Sequence, residues 1–306
     1  MFYYHSISSK FLGLNVTYSI DKVILTGKFF YKNADLFMRD LSLLELKDGI
    51  VDDRPFDKFV DNMGFYISNR IGTYLNNFNI QLIDSRGEKA SFFLGVVLNS
   101  GSSKVEQWKL EFNPNKILPC PFFEKMLTLL KLYTVPTKVK LKFWDLSIDF
   151  PLNRSNVSLV RDKRMYQLVT KSELDRTEYL GSRHTHGFSK LYNKTIESGL
   201  DYELTRFEIT SDSVFYNSLV VKMPQLLILQ NSQVSFNMLS NLSQNQVVML
   251  ELLLLHPDYL QKLDKRGRLK YKNCFDTLSE HFVLDKDCFE YLAERVMAYI
   301  NLEVLQ

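Results

Sequence analysis

The chain has little cysteine, no long apolar run and almost no net charge, and each shortage excludes something. Its three cysteines, Cys120, Cys274 and Cys288, lie far apart and form no C-x-x-C pair. That removes the usual zinc-ligand spacing and fits a reducing compartment. The longest apolar stretch, "VVMLELLLL" at 247–255, is shorter than a bilayer requires and is interrupted by Glu251. The opening "MFYYHSISSK" lacks the basic-then-apolar order of a secretory signal. A cytoplasmic protein with no membrane partner is expected. There is no glycine-rich phosphate loop, which argues against a built-in ATPase, and no Ser-His-Asp or Cys-His constellation stands out. Lys and Arg number 38 against 35 Asp and Glu, and this net +3 permits an anionic partner without requiring one.

What is present is apolar bulk. In 306 residues, 45% are hydrophobic and 13% aromatic, with 23 Phe and 16 Tyr, enough to bury a core and weighted towards sheet. The spacing predicts strands over 15–31 (with a turn at Asp21-Lys22), 78–84, 91–98 and 105–112. Helical spacing occurs at Phe56, Phe59, Val60 and Met63. A helix is expected over 121–133, with Pro121 at its start and its end before Pro136. Another is expected over 156–170. Residues 177–194 read as a hairpin turning about His184–Gly187, and 202–210 as a strand. From 243 onward the spacing is helical, broken at Pro257 and Gly267. The fold class is α+β: an antiparallel-sheet domain with flanking helices over 1–232, then a small all-helical segment over 233–306.

"LKFWDLSIDF" (141–150) is the most informative strand. Period-2 geometry sends Trp144, Leu146 and Ile148 to one face, and Asp145, Ser147 and Asp149 to the other, spread over roughly 13 Å. Like charges on one narrow face repel unless a cation or solvent relieves them. Two readings stand: a solvated outer face, or half of a divalent-metal site. In "HGFSKLYNK" Phe188, Lys190, Tyr192 and Lys194 share a face, and in "LTRFEIT" Arg206 and Glu208 lie opposite Phe207 and Ile209. If these strands are neighbours, one polar face holds three carboxylates, three cations and a phenol. Such a set suits phosphodiester transfer: acids for Mg²⁺ or Mn²⁺, cations for phosphate, and a tyrosine as covalent nucleophile. A charge-balanced sheet face with weak ion pairs fits the same residues.

"TEYLGSR", "FSKLYNKTIESG" and "LTRFEIT", all downstream of "WDLSIDF", resemble the replication initiation factor family, the initiators of rolling-circle plasmids of the staphylococcal type together with related relaxases. The resemblance covers about 145–210, and "KLEFNPNKI" (109–117) more loosely. It implies that Tyr192 nicks DNA and keeps the 5′ end as a phosphotyrosyl ester. It implies Asp145, Asp149 and Glu208 as metal-binding or proton-handling acids, with Lys190, Arg206 and Lys194 on phosphate. Lys190 departs from the family, which often carries Arg there. The implied partner is double-stranded origin DNA with a single-stranded nick region; a host helicase and a second copy of the chain are further candidates. A conjugative relaxase, a non-catalytic DNA-binding protein and a metal nuclease without a covalent step remain alternatives.

"HTH" at 184–186 is a poor match to a paired metal-histidine motif, with Thr185 in the middle position. Glu197 reads as a solvated turn residue or a partner for a lysine. "KLDKRGRLKYK" (262–272) is the densest basic run, and Lys265, Arg266, Arg268 and Lys270 are its candidate phosphate contacts. A solvated junction between helices would look the same.

Overall fold

Alternation becomes strand wherever a buried large side chain recurs at every second residue. The protein, seen here as a computed structural model, is described over residues 5–44, 65–67, 76–83, 89–97, 106–117, 121–171, 175–229, 243–255, 259 and 262–303. Its strands are β1 (Ser6–Phe11), β2 (Leu14–Lys28), β3 (Phe65–Ile67), β4 (Asn76–Ile83), β5 (Lys89–Val97), β6 (Gln107–Phe112) and β7 (Lys140–Phe150). They continue with β8 (Val157–Leu159), β9 (Tyr166–Thr170), β10 (Arg176–Leu180), β11 (Ser189–Asn193), β12 (Thr205–Ser211), β13 (Leu226–Leu229) and β14 (Ser279–His281). The helices are α1 (Ala34–Ser42), α2 (Pro114–Ile117), α3 (Pro121–Tyr133), α4 (Lys194–Ser198) and α5 (Tyr216–Val220). The last three are α6 (Gln244–Leu255), α7 (Lys265–Leu278) and α8 (Lys286–Ile300).

Eleven strands form one antiparallel sheet in the order β3-β4-β5-β6-β2-β7-β12-β11-β10-β9, with β1 added to β2. The class is α+β, as expected. One sheet face is apolar and is covered by helices. Trp144, Leu146, Ile148 and Phe150 of β7 are buried there with Phe207 and Ile209 of β12 and Leu191 of β11. Phe123 of α3 meets Phe92 and Phe112, at ring-centroid distances of 5.2 and 4.8 Å. From α8, Phe289 packs on Trp144 at 5.6 Å and Tyr299 on Phe112 at 5.0 Å. Burying one such Phe stabilises the fold by roughly 1.5–3 kcal/mol. Asp285 starts α8 by accepting from the Cys288 N–H at 3.0 Å. Gly27 is fixed by a neighbour: a Cβ there would lie 2.4 Å from the Trp108 ring, whose indole N–H donates to Thr134 Oγ1 at 2.8 Å.

Several elements differ from the sequence reading. The expected turn at Asp21-Lys22 is continuous strand with a bulge between Ile20 and Lys22. Residues 156–170 form no helix; a short turn leads into β8 and then β9. The C-terminal segment is not all-helical, because β14 pairs with β13, which pairs with β8 in a second, three-stranded sheet. Gly267 does not break a helix but lies inside α7. The helical spacing at 56–63 and the junction placed at 232 lie outside the described residues. Among the described residues no helix is long and apolar enough to cross a membrane.

Candidate functional site

The other face of the sheet carries the charge, and strand register decides what meets there. β12 lies between β7 and β11. Arg206 pairs with Asp149 and Tyr192, Glu208 with Ser147 and Lys190, and Thr210 with Asp145. Tyr192, Lys190, Arg206, Glu208, Asp149 and Asp145 therefore share one face, the arrangement that the alternation anticipated. β2 completes it, since Thr17, Ser19 and Lys22 pair with Asp149, Ser147 and Asp145.

At the centre, the Tyr192 hydroxyl donates to Glu208 Oε1 at 2.5 Å. The Lys190 ammonium stands 3.4 Å from Glu208 Oε2 and 3.9 Å from the centre of the Tyr192 ring. Lys194 lies 5.8 Å from the same ring and pairs with Glu197. Arg206 forms a two-pronged bond to Asp149, Nε–Oδ1 at 2.6 Å and Nη2–Oδ2 at 2.7 Å, the fixed fork geometry that guanidinium favours.

Burial sets the proton energetics. It pushes the Glu208 carboxyl above its ordinary range, and the negative charge of Asp21 adds to this, against the opposing pull of Lys190, Tyr192 and Arg206. The Tyr192 phenol is also pushed up, first by burial and then by the charge and hydrogen bond of Glu208. The resting site thus holds the proton on Tyr192, the reverse of a phenol ionised by neighbouring cations. Burial likewise raises Asp145, which accepts from Thr210 Oγ1 at 2.6 Å. For Arg206 burial works against the charge, but the bonds and charge of Asp149 outweigh it and hold the guanidinium ionised.

The sequence reading missed Asp21. The β2 bulge turns it onto the polar face, where its Oδ1 accepts from Asn113 Nδ2 at 3.1 Å and from Arg206 Nη1 at 3.3 Å. Bulges commonly re-aim a side chain beside a functional site. Glu111 is a further acid on the face, 2.7 Å from Lys22 and 2.9 Å from Lys109.

The acids do not converge as a ligand set. Asp149 is taken by Arg206, Asp145 by Thr210, and Glu208 by Tyr192 and Lys190. Among the described residues no three of His, Cys, Asp and Glu are placed to hold an ion together. Asp145, Asp149 and Glu208 as arranged do not fit a shared Mg²⁺ or Mn²⁺; each is held in its own ion pair or hydrogen bond. His184 and His186 are not a pair either. His186 is committed to α5, its Nε2 lying 3.0 Å from the Ser218 carbonyl and its Nδ1 3.1 Å from Asp212. The basic run is apart from this face: Lys265, Arg266, Arg268 and Lys270 are exposed along the first half of α7, which packs on α6 and β14.

No family model and no curated protein matches the chain. Among solved structures it is similar to the rolling circle replication initiator protein from Geobacillus stearothermophilus, with 11% identity and a TM-score of 0.37 over 72% of this chain and 89% of that one. Likeness at that level establishes no function.

Proposed function

We propose that the protein is a site-specific DNA nickase and strand transferase that starts rolling-circle replication through Tyr192. The supporting observation is the Tyr192–Glu208 hydrogen bond, on a face where Lys190 and a clamped Arg206 offer positive charge to a phosphate. Glu208 takes the phenol proton as the Tyr192 oxygen bonds to phosphorus, so no free phenolate has to form beforehand. The phosphorus–O3′ bond breaks with its electron pair going to O3′, which takes a proton from solvent. The 5′ end stays on Tyr192, and the resulting 3′-hydroxyl is released for a polymerase. Arg206, held by Asp149, stabilises the charge on the phosphoryl oxygens. Lys190 lies over the ring at rest, and its flexible stem lets the ammonium swing onto the incoming strand.

The direct test is capture of a covalent adduct on single-stranded origin DNA, with the attached nucleotide mapped to Tyr192 by mass spectrometry. Binding without adduct would make the chain a non-catalytic DNA-binding protein. Cleavage without adduct would make it a nuclease that uses water.

Because Glu208 must be ionised to accept the proton, nicking should rise as pH increases through its elevated pKa. Asp21 helps to hold that pKa up. Asp21→Asn removes the neighbouring charge, lowers the Glu208 pKa, and should move the acid limb of the rate profile to lower pH. An unmoved limb would mean that another group controls it.

The segment beyond 232 carries part of origin recognition in this proposal. Neutralising Lys265, Arg266, Arg268 and Lys270 together removes up to four phosphate contacts. The slope of log affinity against log salt on duplex DNA should fall by about 3–4 units, while cleavage of a short single strand persists. An unchanged slope would make the run a solvated surface.

A further inference from the structure

Beyond Glu208 along β12, at Thr210 and Asp145, the polar face opens into a cavity of about 160 Å³. Its place follows from register. Asp145 and Thr210, at its polar end, are one same-face position along from Ser147 and Glu208, a step of about 7 Å. Its apolar wall comes from Ile24 of β2, Phe143 of β7 and Phe188, the residue just before β11. Ile24 and Phe143 are directly paired across β2 and β7. Apolar side chains on the charged side of a sheet have no core to join. Here they line a hollow together with Trp144, whose indole N–H is spent on the Ser213 carbonyl, and with the polar groups of Lys22, Asp145 and Thr210.

Three observations say what would fill it. The first is size, since an apolar cavity of about 150 Å³ takes a benzene-sized ring. The second is stacking. Phe188 lies parallel to Tyr179, with centroids 6.1 Å apart and planes 14° apart, and Arg183 caps Tyr179 at 5.6 Å. The Phe188 ring thus stands at the cavity wall with its plane aligned to that of Tyr179. The third is the polar end. Thr210 occupies one Asp145 oxygen, leaving the other for an N–H donor, and Lys22 lines the same cavity as a donor to a carbonyl. Exposed Arg183 and His184 stand at the mouth, where a phosphate would pass. His184 has φ 61°, a left-handed conformation uncommon for a non-glycine residue, and Gly187 turns the same loop at φ 83°.

We propose that this cavity is a nucleotide subsite that takes one unstacked pyrimidine base of single-stranded DNA, next to the phosphate that Tyr192 attacks. The proposal rests on the nickase reading and adds to it the contact that selects a base. The ring slides against Phe188 and Phe143, its N–H (N3–H of thymine) faces Asp145, and a ring carbonyl faces Lys22. An unstacked base on an aromatic side chain gains binding that an abasic backbone cannot.

The test uses the full chain and three single strands of equal length: oligothymidylate, oligodeoxyadenylate and an abasic strand. Wild type should bind oligothymidylate about 5- to 100-fold more tightly than the abasic strand, with oligodeoxyadenylate weaker than oligothymidylate. Phe188→Ala should remove most of that gap while leaving the abasic strand's affinity unchanged, which also shows that the variant is folded. Ultraviolet cross-linking of a strand carrying 5-iododeoxyuridine to wild type should map to Phe188 or Phe143. If oligothymidylate binds tightly but Phe188→Ala leaves the gap intact, or the cross-link maps elsewhere, the subsite is wrong and the nickase reading stands. Equal binding of thymidylate and adenylate strands overturns the choice of a pyrimidine. If none of the strands binds, the nickase reading falls together with the subsite.

Discussion

Tyr192→Phe is expected to abolish nicking of a supercoiled origin plasmid while leaving origin binding within a few-fold. The substitution removes a single oxygen. The ring stays between Lys190 and Lys194, whose ammonium groups lie 3.9 and 5.8 Å from its centre, and phenylalanine presents a similar face to a cation. The backbone of β11 keeps its pairing with β10 and β12. What disappears is the donor to Glu208 and the oxygen proposed to bond to phosphorus. Such a loss is not graded, so the expected rate is that of DNA without enzyme. Retained nicking would move the nucleophile elsewhere. Tyr202, 56% exposed, and Tyr179, stacked on Phe188, would be the next tyrosines to replace.

Glu208→Gln should slow nicking by about 10²–10⁴-fold, the range lost when a positioned proton acceptor is removed. Glutamine fills the same volume and still accepts the Tyr192 hydrogen bond, but cannot carry the proton away. The acid limb of the pH profile should vanish in the residual activity. Lys190 loses an ionic partner 3.4 Å away and becomes freer for DNA, so binding should hold or tighten. The remaining rate should not recover as Mg²⁺ or Mn²⁺ is raised, whereas loss of a metal ligand is partly offset by more metal. Recovery with metal would return Glu208 to the ligand role that its resemblance to the initiator family implies. Activity within a few-fold of wild type would remove it from the chemistry.

How much of this was legible depends on how local each signal is. β7 and β12 could be read because large apolar residues recur at every second position and are buried, as with Trp144, Leu146, Ile148, Phe207 and Ile209. β11 instead puts only Leu191 into the core, between Ser189 and Asn193, and shows its period in Lys190 and Tyr192 on the other face. Once the three faces are known, the meeting of Tyr192, Arg206 and Asp149 needs only that the strands be neighbours. α3 could be read from Pro121 and the apolar spacing behind it. The stretch 156–170 could not. Val157–Leu159 is strand because Leu226–Ile228 pairs with it from almost 70 residues away, and no local period carries that information. Near Gly267 the signal was present but misread. Asp264, the single acid in the basic run, accepts from the Gly267 N–H at 2.7 Å and caps α7, so the glycine sits in the first turn of a helix. Asp21 was hidden by the same alternation that exposed the rest, because it interrupts the period and an interrupted period reads as a turn.

That interruption has an electrostatic consequence for the sheet. Val16, Tyr18 and Ile20 are buried before Asp21, and Val23 and Leu25 after it. With Asp21 skipped, Ile20, Lys22 and Val23 follow one another in unbroken in-and-out order. The residue is therefore surplus to the sheet. It breaks the ladder between β2 and β7 and sets an extra anion beside Glu208 and Asp145, both of which it makes harder to ionise. In exchange for the lost ladder contact, Asp21 ties β2 to Asn113 and Arg206. The irregularity of β2 thus reaches its neighbours as charge, through the raised carboxyls of Glu208 and Asp145.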